Sequence, residues 1–438
     1  MFEKLIYALA AFTIVLFFAY ILYKGNTVKS CLLFILGGLP LMNLKITAEW
    51  LGGFRTFDFI CFYALIFLFK DFSTINKKKG LNLYLWLFGG LSVVLILSGL
   101  SSEFPERTWI SFFRFVPIFI FGRFLVITCF KDPEFYQQVI KALKISYLLS
   151  LLFLLAQVIF GLGFTFYPTL GPNTVDPLLQ MVRYPGIFYD AQQHGQYLAM
   201  GSFLFLYNAP GTSKRMQWIN YSVVLFALVG MVLAGSRAPM GGFILGLLLL
   251  FFLLSSKYKV YGGFAFVIGF GAYLFFAPQN GVFQRTAGLS DDFLFRKTLW
   301  DEALDISAQS PILGIGAGNY QDHVTRHNQN QYLEIEEGVF MYFDQPENGY
   351  LKILVELGFT GLFLVAVMLL SPFMKGTVGS LKKQLNPVVA LLLAALLSWM
   401  VAFSTVYSFY DYRIMILVAT LVVLILTIPK PKPHEFAG

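Results

Sequence analysis

The feature that most constrains this chain is a succession of unbroken apolar runs, each about long enough to cross a bilayer. A hydrocarbon core of about 30 Å takes roughly 17–25 helical residues. Inside it only helices and closed barrels satisfy their own backbone hydrogen bonds. Such runs fall near residues 5–23, 31–48, 57–70, 81–100, 109–130, 145–165, 194–210, 217–234, 238–254, 260–277, 349–370, 387–407 and 412–429. The run at 57–70 is short, so 12 or 13 spans are expected. None alternates with period two, which argues against a barrel. Charged residues make up 13% of the 438 residues and apolar ones 57%, where a soluble domain carries roughly 25% charge. The expected fold class is therefore all-α, a polytopic transmembrane helical bundle. The first run, Leu5 to Leu22, is followed by no small-residue cleavage site and reads as a span, not a signal peptide. Cys31, Cys61 and Cys129 lie in or at the ends of apolar runs, so no disulfide framework is implied.

One stretch leaves the apolar phase. Residues 278–348 hold eleven acidic and four basic residues, a balance of −7 in a chain of net charge +8. The chain then divides into spans 1–10 with a loop at 166–193 (residues 1–277), a large, partly helical loop domain (278–348), and the last spans with a tail (349–438). Within the loop domain, Asp291–Ser307 reads as an amphipathic helix, with Phe295, Leu299, Ala303 and Ile306 on one side and Ser290 or Asp291 as its cap. Ser310-Pro311-Ile312-Leu313-Gly314-Ile315-Gly316-Ala317-Gly318 ends it. Three glycines at alternate positions suit a turn with close backbone approach. They lack the G-x-G-x-x-G spacing and a preceding strand, so they are no nucleotide fingerprint.

Lys and Arg in the short connections give the orientation. Basic turns at Lys70 with Lys77–Lys79, at Lys131 with Lys141 and Lys144, at Lys214-Arg215, at Lys257 with Lys259, at Lys375 with Lys382-Lys383, and at Lys430 with Lys432 alternate with connections that are neutral, acidic or carry a lone Arg. The basic turns and the C-terminus are expected in the cytoplasm, and residues 278–348 outside. The side of the N-terminus is left open. Two outward connections carry an arginine where a span meets the surface: Arg183-Tyr184-Pro185-Gly186-Ile187-Phe188 and Gly235-Ser236-Arg237. Each reads either as an interfacial anchor or as an anion contact.

In order along the chain, these motifs resemble those of the O-antigen ligase and O-antigen polymerase superfamily of bacterial membrane glycosyltransferases. An Arg-x-x-Gly-x-Phe segment (Arg183 to Phe188) enters a span, and Ser236-Arg237 opens a later one. Arg296 and Trp300 follow on a helix, then Pro311, Gly314, Gly316 and Gly318 in a turn. Last come Asn348, Tyr350 and Leu351, with Glu356 and Gly358 in the next span. Ligases of the family usually carry a histidine just before that asparagine; here the residue is Glu347.

The resemblance implies an undecaprenyl-diphosphate-linked glycan as donor, and a glycan or lipid A core as acceptor. It also implies an inner-membrane location with the active site on the periplasmic face, no metal or other cofactor, and no nucleic-acid partner. Membrane lipids surround such a protein, and a chain-length regulator or flippase would be its neighbours in the pathway. Arginine suits a lipid diphosphate because it is permanently charged and binds two oxygens at once. Arg183, Arg237 and Arg296 are the candidates. For the base, Glu347 occupies the histidine position, and Asp344 is the reserve; Asn348 lies beside them. Glu347 also reads as a helix-start residue complementing the dipole. His194, Tyr184 and Tyr350 are candidate acceptor or sugar contacts, the tyrosines equally suited to an aromatic belt. His323 and His327 lack the glutamate of a metalloprotease motif and read as solvated. The expected activity is inverting, metal-independent glycosyl transfer. It leans to polymerase because the histidine is missing, with ligase or protein O-oligosaccharyltransferase as alternatives. A flippase is the rival of another class, but no matched, interrupted halves are seen.

Overall fold

The computed structural model describes residues 2–47, 53–72, 79–169, 171, 174–175, 182–208, 211–253, 289–327, 332–336, 339–342, 345–382 and 384–429, with side chains described except in 2–4, 79–84, 289–295 and the two strands. Among these residues run α1 (Phe2–Lys24), α2 (Val28–Gly37), α3 (Thr56–Phe67), α4 (Phe69–Phe72), α5 (Lys79–Ser101), α6 (Pro105–Lys131), α7 (Phe135–Phe160), α8 (Ala191–Phe205), α9 (Lys214–Leu233) and α10 (Arg237–Leu253). They are followed by α11 (Leu289–Gln309), α12 (Tyr320–Arg326), strands β1 (Tyr332–Glu336) and β2 (Val339–Tyr342), α13 (Gly349–Leu381), α14 (Pro387–Phe403) and α15 (Tyr412–Thr427). The helical class holds. Five helices (α1, α6, α7, α9 and α13) are long and apolar enough to cross a membrane. Shorter apolar helices stand at six other expected spans, α8 (Ala191–Phe205) stands at the expected span 194–210, and the expected span at 260–277 lies outside the described residues. The run at 31–48 is the largest departure. Its helix stops at Gly37, where Pro40 in a following 3-10 turn prevents its continuing.

The core is built on α14, which is buried almost throughout and packs against α10, α8 and α15. Gly242 and Gly246 of α10 face the backbone of Ser398 and Ala394, so the small-x-x-x-small pair lets two backbones approach closely. At one end of the bundle, Lys375 of α13 donates to the carbonyls of Ile425 (2.9 Å), Leu426 (2.9 Å) and Ile428 (3.1 Å), satisfying the last turn of α15. The other end carries residues 289–327 and 345–348.

There the polar segment is laid into the bundle. Helix α13 breaks at Gly358, whose φ of 65° is left-handed. A break frees backbone groups that must find other partners when buried. The 311–316 turn supplies partners for four of them. Ile315 N–H donates to the Val355 carbonyl (2.9 Å) and Gly316 N–H to that of Glu356 (3.0 Å). In return Phe359 N–H donates to Pro311 O (2.8 Å) and Thr360 N–H to Ile312 O (3.3 Å). Gly314 lies on the backbone of Glu356 and Leu357, and Gly358 on that of Ile312 and Leu313. A Cβ on either would collide with main chain. The glycines thus serve the protein's own broken helix. The amphipathic helix predicted at 291–307 is α11. Its Ala303 and Ile306 are buried with Tyr320 and Val324 of α12 and Val355 of α13, so α11, α12 and the break form one small core. β1 and β2 pair antiparallel with a bulge at Glu334–Glu336, a local detail that the apolar pattern did not disclose.

Candidate functional site

The segment entering α13 is fixed residue by residue. The Gln345 side-chain oxygen accepts Tyr407 N–H at 2.8 Å, and Pro346 is buried. Asn348 is the cap of α13: its Oδ1 accepts the N–H groups of Tyr350 (3.0 Å) and Leu351 (3.2 Å). With the cap taken, Glu347 stands outside the helix at φ 48°, a left-handed conformation that costs an L-residue about 1–2 kcal/mol. Its Oε2 lies 3.6 Å from Arg296 Nη2 on α11, both side chains being partly buried. Two residues singled out for charge and base are therefore neighbours, and the helix-start role belongs to Asn348. Asp344 lies outside the described residues. Tyr350 donates its hydroxyl to the Met400 carbonyl (2.9 Å) and packs edge-on against Phe403, so it ties α13 to α14.

The second group is built from the loop before α8 and the α9–α10 turn. Arg183 is buried, and its side chain lies against Gly235. The neighbouring Tyr184 N–H donates to Leu233 O at 3.0 Å, which pins the loop to the end of α9. Arg183 and the turn that starts with Gly235 and ends in Arg237 are thus brought together, as their shared surface position suggested. Burial draws the pKa of Arg183 down and Asp190 pushes it the other way; at neutral pH the guanidinium stays charged. Ser236 donates to the carbonyls of Ala191 and Ala234, both at 3.3 Å. Tyr184 packs on the core. His194 is wholly buried, stacked on Phe188, with Nδ1 3.1 Å from Tyr184 O. A ring so enclosed does not meet an acceptor in this conformation; it holds the 184–188 segment against α8.

Both groups lean on the connection between α14 and α15. Gln196 of α8 reaches the carbonyls of Ala402 and Val406 at 3.4 Å, and Gln345 holds Tyr407.

Among the charges near this connection that sequence reasoning passed over are Arg413 and Lys352, both buried, and Arg114, half-buried. Arg413 is clamped by Asp411, whose carboxylate also caps α15 through Arg413 N–H (2.9 Å). Its guanidinium bonds Tyr167 OH (2.7 Å) and the Ile187 carbonyl, and lies 4.2 Å over the Phe188 ring, tying Tyr167 to the 187–188 segment. Lys352, fully buried, donates to Tyr410 OH and stands 3.7 Å from Glu356. Glu356 Oε1 in turn receives Tyr320 N–H at 3.4 Å, so Glu356 bonds inside the bundle, as its position in the span implied. Arg114, in α6, borders a mainly apolar cavity of about 160 Å³ between α5, α6, α13 and α15, and its Nε has no partner among the described residues. A charge inside an apolar run was the available signal in each case.

Fold and site together define a multi-pass helical membrane protein with Arg296 paired to Glu347 in one group and Arg183 packed on the α9–α10 turn in another. Residues 222–366 match the family model described as O-antigen ligase. That stretch contains Ser236-Arg237, Arg296, the glycine turn, Glu347 and the α13 break, with Arg183 and His194 preceding it. The match supports the O-antigen ligase/polymerase superfamily of membrane glycosyltransferases, which implies a lipid-linked glycan donor and an acceptor. No curated protein matches the chain.

Proposed function

We propose that the chain transfers a glycan from undecaprenyl diphosphate to an acceptor sugar hydroxyl at the periplasmic face of the bacterial cytoplasmic membrane, with its C-terminus in the cytoplasm. The observation that carries this reading is the 3.6 Å pairing of Arg296 with Glu347. An inverting displacement needs a cation at the leaving group and a base on the opposite face of the anomeric carbon, so in this reading the two residues wait as a pair and part when the donor binds. Diphosphate oxygens arriving at Arg296 compete with the carboxylate for the same guanidinium and release Glu347 toward the acceptor. Glu347 then takes the hydroxyl proton, the hydroxyl oxygen bonds the anomeric carbon from the side opposite the diphosphate, and the carbon–oxygen bond to diphosphate breaks with inversion. Arg296, Arg183 and Arg237 stabilise the charge that collects on the departing diphosphate. A well-placed donor of this kind contributes about 3–4 kcal/mol. Diphosphate leaves readily, so neither a general acid nor a metal takes part in the step. In this scheme the segment that enters α13 brings the base, and His194 and Arg413 position the residues next to Arg183.

The acceptor is proposed to be a second lipid-linked repeat, making the chain a polymerase, because Glu347 replaces the histidine usual in ligases. Purified protein in liposomes, given a lipid-diphosphate oligosaccharide with and without lipid A core, tests this. A product ladder without core is expected. A single transfer onto core would make it a ligase, and movement across the bilayer with no new bond would make it a transporter.

A further inference from the structure

Away from these residues, the bundle end carries a cluster that glycosyl transfer does not use. Glu103, in the short connection between α5 and α6, faces His323 and His327 on α12, more than 200 residues on in sequence. Its Oε2 lies 3.0 Å from His327 Nε2 and 3.6 Å from His323 Nδ1, and the three donor atoms lie within 4.8 Å of one another. The histidines are four apart on one helix face with ring centroids 4.4 Å apart. His323 is buried, not solvated as the sequence implied, and its Nε2 has no partner among the described residues. Burying an imidazole with one nitrogen unsatisfied is unfavourable unless the other gains a strong bond.

We propose that Glu103, His323 and His327 form a zinc site that clasps α12 to the α5–α6 connection. Donors held about 2.0–2.1 Å from a tetrahedral zinc are separated by roughly 3.3 Å, and the two observed separations fall on either side of that. The two-nitrogen, one-oxygen donor set suits zinc over calcium or magnesium. Glu103 uses only one oxygen toward the histidines; Oε1 receives Arg326 Nη1 at 3.0 Å, which orients the carboxylate. Glu103 and His327 are partly exposed, which leaves the fourth position to water. The surroundings already dock these two segments. Arg107 pairs with Asp322 at 2.7 Å, Asn319 bonds Ser102, and Ser111 donates to Ala317 O at 3.3 Å. The metal would complete that seam. Through the Ala303, Ile306, Tyr320, Val324 and Val355 core it would steady α11, the helix that bears Arg296. The role is structural, and the site adds no group to the transfer step.

The test uses the full chain, purified without a histidine tag, stripped with chelator and titrated with zinc in competition with a chromophoric chelator. One zinc per chain is expected, with Glu103→Gln and His327→Gln each weakening it by about tenfold or more. Cobalt in place of zinc should give the visible absorption of a tetrahedral ion in the wild type and not in His323→Gln. His327 is exposed enough that its variant should fold, which size-exclusion chromatography checks. Zinc binding that is absent, or equally strong in the Glu103 and His327 variants, would overturn the site. None of these readouts depends on transfer activity.

Discussion

Asn348 caps α13, and in doing so it leaves Glu347 outside the helix at φ 48°, facing Arg296. A glutamate kept in a conformation that glycine adopts more easily is a local conflict. Such conflicts persist where the side chain has a task. Glu347→Gly should therefore keep or slightly raise thermal stability, by up to about 1 kcal/mol, while transfer falls by about 100-fold or more. Glu347→His should retain part of the activity, since imidazole is the group used at this position by ligases of the resembled family. Unfolding in detergent and transfer assays on the same preparations separate the two effects.

Asn348 divides the same way from the other side. Asn348→Ala should lose about 1 kcal/mol of stability and Asn348→Ser or Asn348→Asp much less, with transfer per folded molecule little changed in all three. An alanine variant as stable as the wild type but inactive would return Asn348 to the reacting groups.

Arg183→Lys and Arg237→Ala should abolish most transfer while the protein still inserts and elutes as one species. Lysine keeps the charge of Arg183 but not the two-pronged grip. Full activity in both variants would remove these residues from the diphosphate site.

The seam between the polar segment and the broken helix predicts a purely structural loss. Gly314→Ala and Gly358→Ala each put a Cβ into main chain and each create a left-handed alanine. Each should cost about 2 kcal/mol or more, read as a lower melting temperature, and the effect should be similar with or without substrate.

Most of the helical architecture was legible because apolar length is a strong signal, and the ends at Lys131, Leu233 and Phe403 fall within a few residues of expectation. Arg296, Glu347, Arg183 and Arg237 stood out in the sequence as motifs in order, and the structure sets Arg296 beside Glu347 and Arg183 against Gly235. What the sequence did not disclose depends on contacts between distant segments. The glycine turn read as one of close backbone approach, but what it approaches was hidden: its N–H groups satisfy carbonyls freed at Gly358. His194 looked accessible at the start of a span, yet Phe188 and Tyr184 enclose it. Arg413 was passed over because its partner Asp411 is two residues away, in a connection that read only as a short turn, and Glu103 gave no sign of the histidines it meets.

The most direct measurement is the single-turnover rate of glycan transfer in liposomes, comparing the wild type with Glu347→Gln at saturating donor. The pairing with Arg296 predicts a fall of about 100-fold or more in rate with donor binding unchanged or tighter, because Arg296 no longer faces a carboxylate. A wild-type rate in the glutamine variant would contradict the account and leave Glu347 as a partner of Arg296 only.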